Sequence, residues 1–491
     1  MNFESAGFAT LVVLALVAYW LLHRHRLAQR WVLLAASVGF YAAIAPAALP
    51  VMAVATTANF LLGERLGPER PATRRWLFLG IGLNLGLLGL YKYYNFFRDT
   101  VDGVWSLSGG ASDLPVLDIV LPVGLSFSCF QAISYLVDTH RGTGPRAKNL
   151  LDFALFQMLF FQLVMGPICR SSQLLPQIEA ESAALPEAPS RAFGLIAIGL
   201  FKRMVLAAAL STHGVSDAFL APDNYTASGL WLIMLGYTVQ LYCDFSGYTD
   251  LMRGIALLFG FKIPENFRNP YAATSVTEFW KRWHMSFSGW LREYIYFPLG
   301  GSRDGRIGQY QNLIITMLVC GLWHGAAWGF IIWGGLHGVA LAVHKQYTLW
   351  REARGGTKAP PGVGRRLTGW SLTLLFVCLT RIFFASPDLD SAIAYFARLA
   401  DWQAEGLGAD RILLLGTALG LSAPGRMSVS RRSTAAKTAT CCQMARGCVS
   451  RSYPASSRSP TKFHASPSAV PSSRMRSAPS PSACQSASRS K

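Results

Sequence analysis

Residues 311–346 read QNLIITMLVCGLWHGAAWGFIIWGGLHGVALAVHKQ, and the first Lys, Arg, Asp or Glu in that run is Lys345. A membrane helix needs roughly 20 mostly apolar residues, so the run is too long for one crossing and predicts two. The rest of the 491-residue chain has the same character. It is 52% hydrophobic and 14% charged, where a soluble protein carries about 25% charged residues. Further apolar runs lie near 8–22, 31–46, 49–63, 76–97, 115–137, 150–168, 192–210, 228–243 and 367–385, with a last near 409–423. The fold class expected is therefore all-α: a polytopic integral membrane protein of about ten to twelve crossings. Beyond residue 150, re-entrant or interfacial segments are expected among them.

The first run carries its charged residues after the apolar stretch and shows no small-residue cleavage site, so it reads as a retained anchor rather than a cleaved leader. Basic loops give the orientation. Arg24, Arg26 and Arg30 follow the first run, Arg65, Arg70, Arg74 and Arg75 the third, and Arg141, Arg146 and Lys148 the fifth. With the intervening helices counted as crossings, all three loops fall on one side. The excess of positive charge in cytoplasmic loops makes that side the inside and puts the N-terminus outside.

The formal charge is +19, but residues 425–491 alone hold twelve Lys and Arg and no acidic residue. The remaining excess is ordinary for basic cytoplasmic loops and gives no reason to expect nucleic-acid binding. The segment 425–491 is rich in Ser, Arg, Ala and Pro, has no periodicity, and is expected to be disordered. The change of composition is abrupt, just after the apolar residues 411–422. Our hypothesis is a reading frame lost near that point; the alternative is a genuine basic cytoplasmic tail. Sequencing the gene across codons 415–430 separates the two, since an intact frame shared with close relatives rules out the first. Of nine cysteines, Cys129, Cys169, Cys243, Cys320 and Cys378 fall in or beside apolar runs, and no pair has metal-ligand spacing.

Residues 262–306 are too polar to span. Ser275-Val276-Thr277-Glu278 has the form of a capping box. A helix from there places Val276, Phe279, Trp280, Trp283, Phe287, Trp290, Leu291 and Tyr294 on one face, away from Lys281, Arg282 and Arg292. That pattern predicts one interfacial helix with its aromatic side toward membrane or protein.

Soluble-enzyme signatures are missing: no G-x-S-x-G elbow, Walker A loop, H-E-x-x-H or G-x-G-x-x-G occurs. His213 and Asp217 have three residues between them, not the four of soluble acyltransferases. Polar residues in apolar surroundings are what remain, and charged ones cost about 2.5–3.5 kcal/mol at a helix centre. His324 lies mid-run among Gly321, Gly325, Ala326, Ala327 and Gly329. Its ordinary pKa near neutrality suits a general base; a histidine packed between helices is the other reading. His284, at the rim of the aromatic face, is the second candidate; an interfacial histidine is its other reading. His337 and His344 share a helical face but have no third metal ligand in view, so they read as packing or interface residues, and no metal site is expected. Asp244 and Asp250, near Arg253, form either a structural ion pair or a polar lining for substrate. Gln131, Asp138 and Arg141 pose the same choice.

Several stretches together resemble the membrane-bound O-acyltransferase family, most closely its alginate O-acetyltransferase branch. They are Tyr237-Thr238-Val239-Gln240-Leu241-Tyr242-Cys243-Asp244-Phe245-Ser246-Gly247-Tyr248-Thr249-Asp250, Asn266-Phe267-Arg268-Asn269-Pro270-Tyr271, Phe279-Trp280-Lys281-Arg282-Trp283-His284-Met285-Ser286 and Gly321-Leu322-Trp323-His324-Gly325. Leu121-Pro122-Val123-Gly124-Leu125-Ser126-Phe127 and Gly166-Pro167-Ile168 are also similar to that branch. The resemblance runs over roughly residues 10–400, within a membrane domain drawn as 1–424.

The resemblance implies a funnel-shaped bundle with an active site buried near mid-membrane. His324 corresponds to the family's essential histidine, and His284 to a second position that is Asn or His. Asp244, Trp323, Trp280 and Arg282 become candidate substrate-binding residues. No tightly bound cofactor is implied; acetyl-CoA or another acyl donor would serve as co-substrate from the cytoplasm. Periplasmic O-acetyltransferase partners and a polysaccharide acceptor would take the acyl group on the outer side. The site would be the bacterial inner membrane, with membrane lipid around it. Two other readings stand beside this one. One is a transporter or flippase of an acyl carrier or glycan, which also needs polar residues at mid-membrane. The other is an acyltransferase for teichoic acid, lipid or protein.

Overall fold

The structure, a computed structural model, describes residues 3–406 apart from 69–72, 111–113, 187, 213–214, 356–361 and 404–405. The run 409–423, the segment 425–491 and His213 lie outside the described residues. In chain order the helices are α1 (Ala6–Leu21), α2 (Arg26–Ile44), α3 (Leu49–Gly63), α4 (Thr73–Leu88), α5 (Tyr94–Ser106), α6 (Leu125–Arg141), α7 (Leu150–Met158), α8 (Ser171–Glu179) and α9 (Pro189–Leu200). They continue as α10 (Ala208–Thr212), α11 (Ala227–Leu258), α12 (Val276–Arg282), α13 (Met285–Leu291), α14 (Gly305–His324), α15 (Trp328–Ala353), α16 (Val363–Ala385) and α17 (Leu389–Ala400). Side-chain caps start several of them. Ser5 Oγ accepts the Phe8 N–H at 3.2 Å, Asn149 Oδ1 that of Asp152 at 2.9 Å, and Asp388 Oδ1 that of Ser391 at 2.8 Å.

Four helical stretches, Arg26–Ile44, Pro46–Gly63, Pro189–Ser211 and Val363–Ala385, are long and apolar enough by length and composition to cross a membrane. Large apolar side chains stand exposed on α1 (Val13, Leu14, Val17), α4 (Phe78, Leu85), α15 (Val339, Val343) and α16 (Leu372, Leu375). In water such faces would be a liability; against lipid they are the natural surface.

The run 311–346 folds as two helices. α14 ends at His324, Gly325 and Ala327 are extended, and α15 starts at Trp328. The two pack at backbone contact. A Cβ on Gly321 would strike the Phe330 carbonyl oxygen, and one on Gly334 would strike that of Met317. Close approach of this kind is how helices associate where burial of apolar surface gives no advantage over lipid.

Other runs depart from the expected crossings. The run 150–168 is helical only over the nine residues of α7, about half a bilayer core at 1.5 Å per residue. Residues 159–169 are non-helical yet buried. Polar side chains make this possible by meeting backbone groups that water cannot reach. Gln131 and Gln162 both donate to the Phe156 carbonyl at 2.6 Å, Ser37 Oγ accepts the Phe160 N–H at 3.1 Å, and Ser286 Oγ accepts that of Ile168 at 3.0 Å. Gln131 therefore has a structural partner. In 115–137 the helix begins only at Leu125, after Gly124 turns the chain at φ +79° with the Leu163 carbonyl too close for a Cβ. The runs 76–97 and 192–210 each contain a π-helical turn, Gly89–Tyr93 and Phe201–Ala207.

The single helix expected from Ser275 is broken. Trp283 is extended (φ −101°, ψ 128°) and His284 is left-handed (φ 43°, ψ 55°), which separates α12 from α13. Ser275 caps α12 as expected, accepting the Glu278 N–H at 3.2 Å. Glu278 reaches one residue further back than a capping box requires, to the Thr274 N–H at 2.7 Å. The aromatic side chains of both helices face protein: Phe279, Trp280, Trp283, Phe287 and Trp290 are all buried.

The basic loops meet at one end of the array. Arg26 donates to the Gln177 carbonyl at 2.7 Å, Lys148 N–H to Glu179 at 3.0 Å, and Arg146 pairs with Glu64 at 3.5 Å. The loops after α1, α3 and α6 thus share one face, as their charge led us to expect.

Candidate active site

His324 is the last residue of α14. The end of a helix leaves carbonyl groups without intrahelical partners and carries partial negative charge. Here the π-helical turn Gly89–Tyr93 answers both needs. The Tyr93 hydroxyl donates to the Leu322 carbonyl at 3.1 Å, and the buried Lys92 ammonium donates to that of Trp323. With the backbone fixed on both sides, the imidazole projects among four rings: Trp323 at 4.6 Å, Phe384 at 5.0 Å, Trp333 at 5.1 Å and Phe287 at 6.3 Å between centroids. It is half-buried and, among the described residues, makes no hydrogen bond. Both ring nitrogens are therefore uncommitted.

His284 is held quite differently. A left-handed conformation costs a non-glycine residue roughly 1–2 kcal/mol. The joint persists because two backbone bonds clamp it to the preceding segment: Arg268 N–H to the Arg282 carbonyl at 2.9 Å, and Met285 N–H to that of Asn266 at 2.9 Å. The Asn266 side-chain oxygen accepts the Ser286 N–H at 3.2 Å and its hydroxyl at 2.9 Å, and lies 3.2 Å from His284 Nδ1. A backbone donor identifies that atom as the amide oxygen, so Nδ1 must carry the proton. Nε2 is then a bare acceptor, buried and without a hydrogen-bond partner among the described residues.

The two histidines share walls. Trp323 is 6.0 Å from His284 and Phe287 is 5.1 Å from it, and both rings also line His324. Phe245 of α11 closes on His284 edge-to-face at 4.8 Å. Among the described residues, buried polar atoms without hydrogen-bond partners gather around this aromatic box: His284 Nε2, Asn266 Nδ2, Trp323 Nε1, Trp333 Nε1 and Arg381 Nε. Folded proteins rarely leave such groups unpaired without a functional reason. Four of them are donors, a set suited to a ligand rich in oxygen.

The sequence candidates separate on this geometry. His324, Trp323 and His284 come together. Trp280 is one layer out, packed on Trp333 at 5.9 Å, with its indole donating to His337 Nδ1 at 3.2 Å. His337 lies 3.1 Å from the Thr380 hydroxyl through Nε2, and His344 lies 2.9 Å from Thr277. Arg282 pairs with Glu278 on its own helix and stays outside the box. Asp244 turns toward Arg203 of the second π-helical turn, at 3.3 Å, and Asp250 toward Lys202 at 2.7 Å and Arg253 at 3.6 Å. Asp138 accepts the Tyr294 hydroxyl at 2.7 Å. No three metal-binding side chains converge among the described residues. Lys92, Asn266, Trp333, Arg381 and Phe384 were not singled out by sequence reasoning. A lysine or arginine inside an apolar run was the signal available for two of them.

The model of the membrane-bound O-acyltransferase family matches residues 130–380, which contain His284, His324, Asn266 and Trp333 but not Lys92, Arg381 or Phe384. The probable alginate O-acetylase AlgI of Azotobacter vinelandii is 39% identical over 376 residues, 75% of this chain and 73% of that protein. Its counterpart in Pseudomonas putida is 36% identical over 409 residues, 82% of this chain and 81% of that protein. The peptidoglycan O-acetyltransferase of Helicobacter pylori is 35% identical over 391 residues, covering 74% and 72%.

Proposed function

Because this chain belongs to the membrane-bound O-acyltransferase family, we propose that His324 is the group that moves the proton as an acyl chain passes to a hydroxyl. The chain is a membrane protein and an O-acyltransferase. The supporting observation is the contrast between its two histidines. Among the described residues His324 makes no hydrogen bond, inside an aromatic box with unpaired donors. His284 is pinned by Asn266 with only Nε2 open. A free imidazole takes the acceptor's proton as its oxygen attacks the acyl carbon, then returns it to the leaving group. A positioned base of this kind contributes roughly 10²–10⁴-fold. His284, neutral and oriented, accepts a hydrogen bond from the acceptor and aligns it.

The acyl group is acetyl and the donor a cytoplasmic thioester such as acetyl-CoA, with no tightly bound cofactor. The acceptor is a glycan hydroxyl outside the inner membrane, reached through periplasmic O-acetyltransferase partners. The relatives named for alginate and for peptidoglycan support a glycan. A protein named teichoic acid D-alanyltransferase, in Bacillus subtilis, is 26% identical over 48% of this chain and supports that acceptor less. The test is the acetyl content of surface glycan in the native host. Deletion of the gene should remove it, wild type should restore it, and His324→Ala should insert normally yet restore none. Full restoration by His324→Ala would refute the assignment.

A further inference from the structure

Three cations are buried in the described body, and two have evident partners. Arg203 pairs with Glu4 at 2.9 Å and with Asp244, and Lys92 donates to a helix-terminal carbonyl. Arg381 of α16 is the third and the most enclosed, at 2% exposure. Among the described residues no carboxylate pairs with it and none of its N–H groups makes a hydrogen bond; Nε is enclosed and unsatisfied. Its guanidinium lies on the faces of two rings, Trp283 at 4.7 Å and Phe384 at 5.3 Å. A cation held at this depth with only aromatic faces for company is costly, and such residues face a partner or a pathway.

The two rings say where the missing negative charge belongs. Phe384 packs against the His324 imidazole at 5.0 Å and against Trp333 at 5.3 Å. Trp283 precedes His284 and forms the joint that holds it. Arg381 thus shares Phe384 with His324 and with Trp333, whose indole N–H is unpaired among the described residues, and shares Trp283 with the joint that holds His284.

We propose that Arg381 receives the negative charge of the reaction, its guanidinium holding the acyl oxygen of a bound thioester and the oxyanion that forms there. This rests on the acyltransferase reading with a thioester donor. The acceptor oxygen bonds to the acyl carbon while its proton passes to His324. The carbonyl π pair moves onto the acyl oxygen, opposite Arg381. As that pair returns, the carbon–sulfur bond breaks, and the thiolate leaves with the proton from His324. Charge develops where a fixed cation already stands, so stabilising it needs no reorganisation.

The test uses the purified full chain in lipid nanodiscs. With labelled acetyl-CoA, the periplasmic O-acetyltransferase partner and a glycan acceptor, Arg381→Gln should lower kcat by about 100-fold or more, with the donor KM changed less than about threefold. Arg381→Lys, which keeps charge but loses the fork of donors, should fall between. A second measurement needs no variant. Wild type should bind S-carboxymethyl coenzyme A, whose carboxylate stands near the acetyl oxygen, at least about tenfold more tightly than neutral S-ethyl coenzyme A. Transfer by Arg381→Gln at the wild-type rate, or equal binding of the two analogues by wild type, overturns the proposal alone. Absence of transfer by wild type, with neither analogue bound, overturns the thioester acyltransferase reading and the proposal with it.

Discussion

His284 and His324 lean on the same indole: the Trp323 ring lies 6.0 Å from one imidazole and 4.6 Å from the other. Their environments differ in a way that assigns different duties. One ring is fixed by an amide oxygen and the other is free, so only the free one can gain and lose a proton without breaking a bond.

The fixed ring should tolerate an amide in its place. Asn adopts left-handed backbone more readily than most residues and offers a similar acceptor. His284→Asn is expected to keep most of kcat, while His284→Ala, which loses the acceptor, should lower it by about tenfold to 100-fold. Equal rates for the two variants would remove His284 from the site.

Asn266 acts through His284. Asn266→Ala removes the oxygen that fixes the imidazole tautomer and also frees the Ser286 N–H and hydroxyl. We expect a loss of about 1–3 kcal/mol in stability from unpaired buried groups, read as a lower Tm in detergent, together with reduced kcat. An unchanged Tm with unchanged kcat would show that the clamp is idle.

Lys92→Met should uncap α14. The Trp323 carbonyl loses its charged donor, at a cost of about 1–3 kcal/mol, and the Trp323–His324 segment loosens. The expected outcome is a lower Tm and a lower kcat together, with Lys92→Arg restoring part of both. A kcat loss at constant Tm would instead mean that the ammonium touches substrate.

Gly334→Ala puts a Cβ onto the Met317 carbonyl between α14 and α15. Overpacking a close helix contact costs about 1–3 kcal/mol, so membrane accumulation and Tm should both drop. Gly335→Ala, one residue on, meets only the flexible end of Leu318 at 3.4 Å and should be mild. Equal effects would locate the contact elsewhere.

How much of this was legible in the sequence varies by segment. The two helices of 311–346 follow from length and from small residues that permit contact. The motifs around His284 and His324 marked two residues that the fold sets against the same Trp323 and Phe287 rings. The break at Trp283–His284 was not visible, because residues 276–294 keep helical spacing on both sides of it. It is set by the Met285 N–H donating to the Asn266 carbonyl and the Arg268 N–H donating to that of Arg282, which no local pattern reports. The buried non-helical stretch after α7 read as the end of a crossing for the same reason: its backbone partners, Ser37, Gln131 and Ser286, are remote in sequence. Lys92 meets Trp323 across 231 positions, and Arg381 gains its meaning only from the rings it touches. Asp244 and Arg282 sat inside matching motifs, yet their charges go to Arg203 and Glu278.

The most direct test is single-turnover transfer of labelled acetyl from acetyl-CoA by the reconstituted chain, wild type against His324→Gln, with Tm recorded for both. The account requires the variant to keep its Tm within a few degrees and to lose about 100-fold or more in rate. Transfer by His324→Gln at the wild-type rate would contradict it.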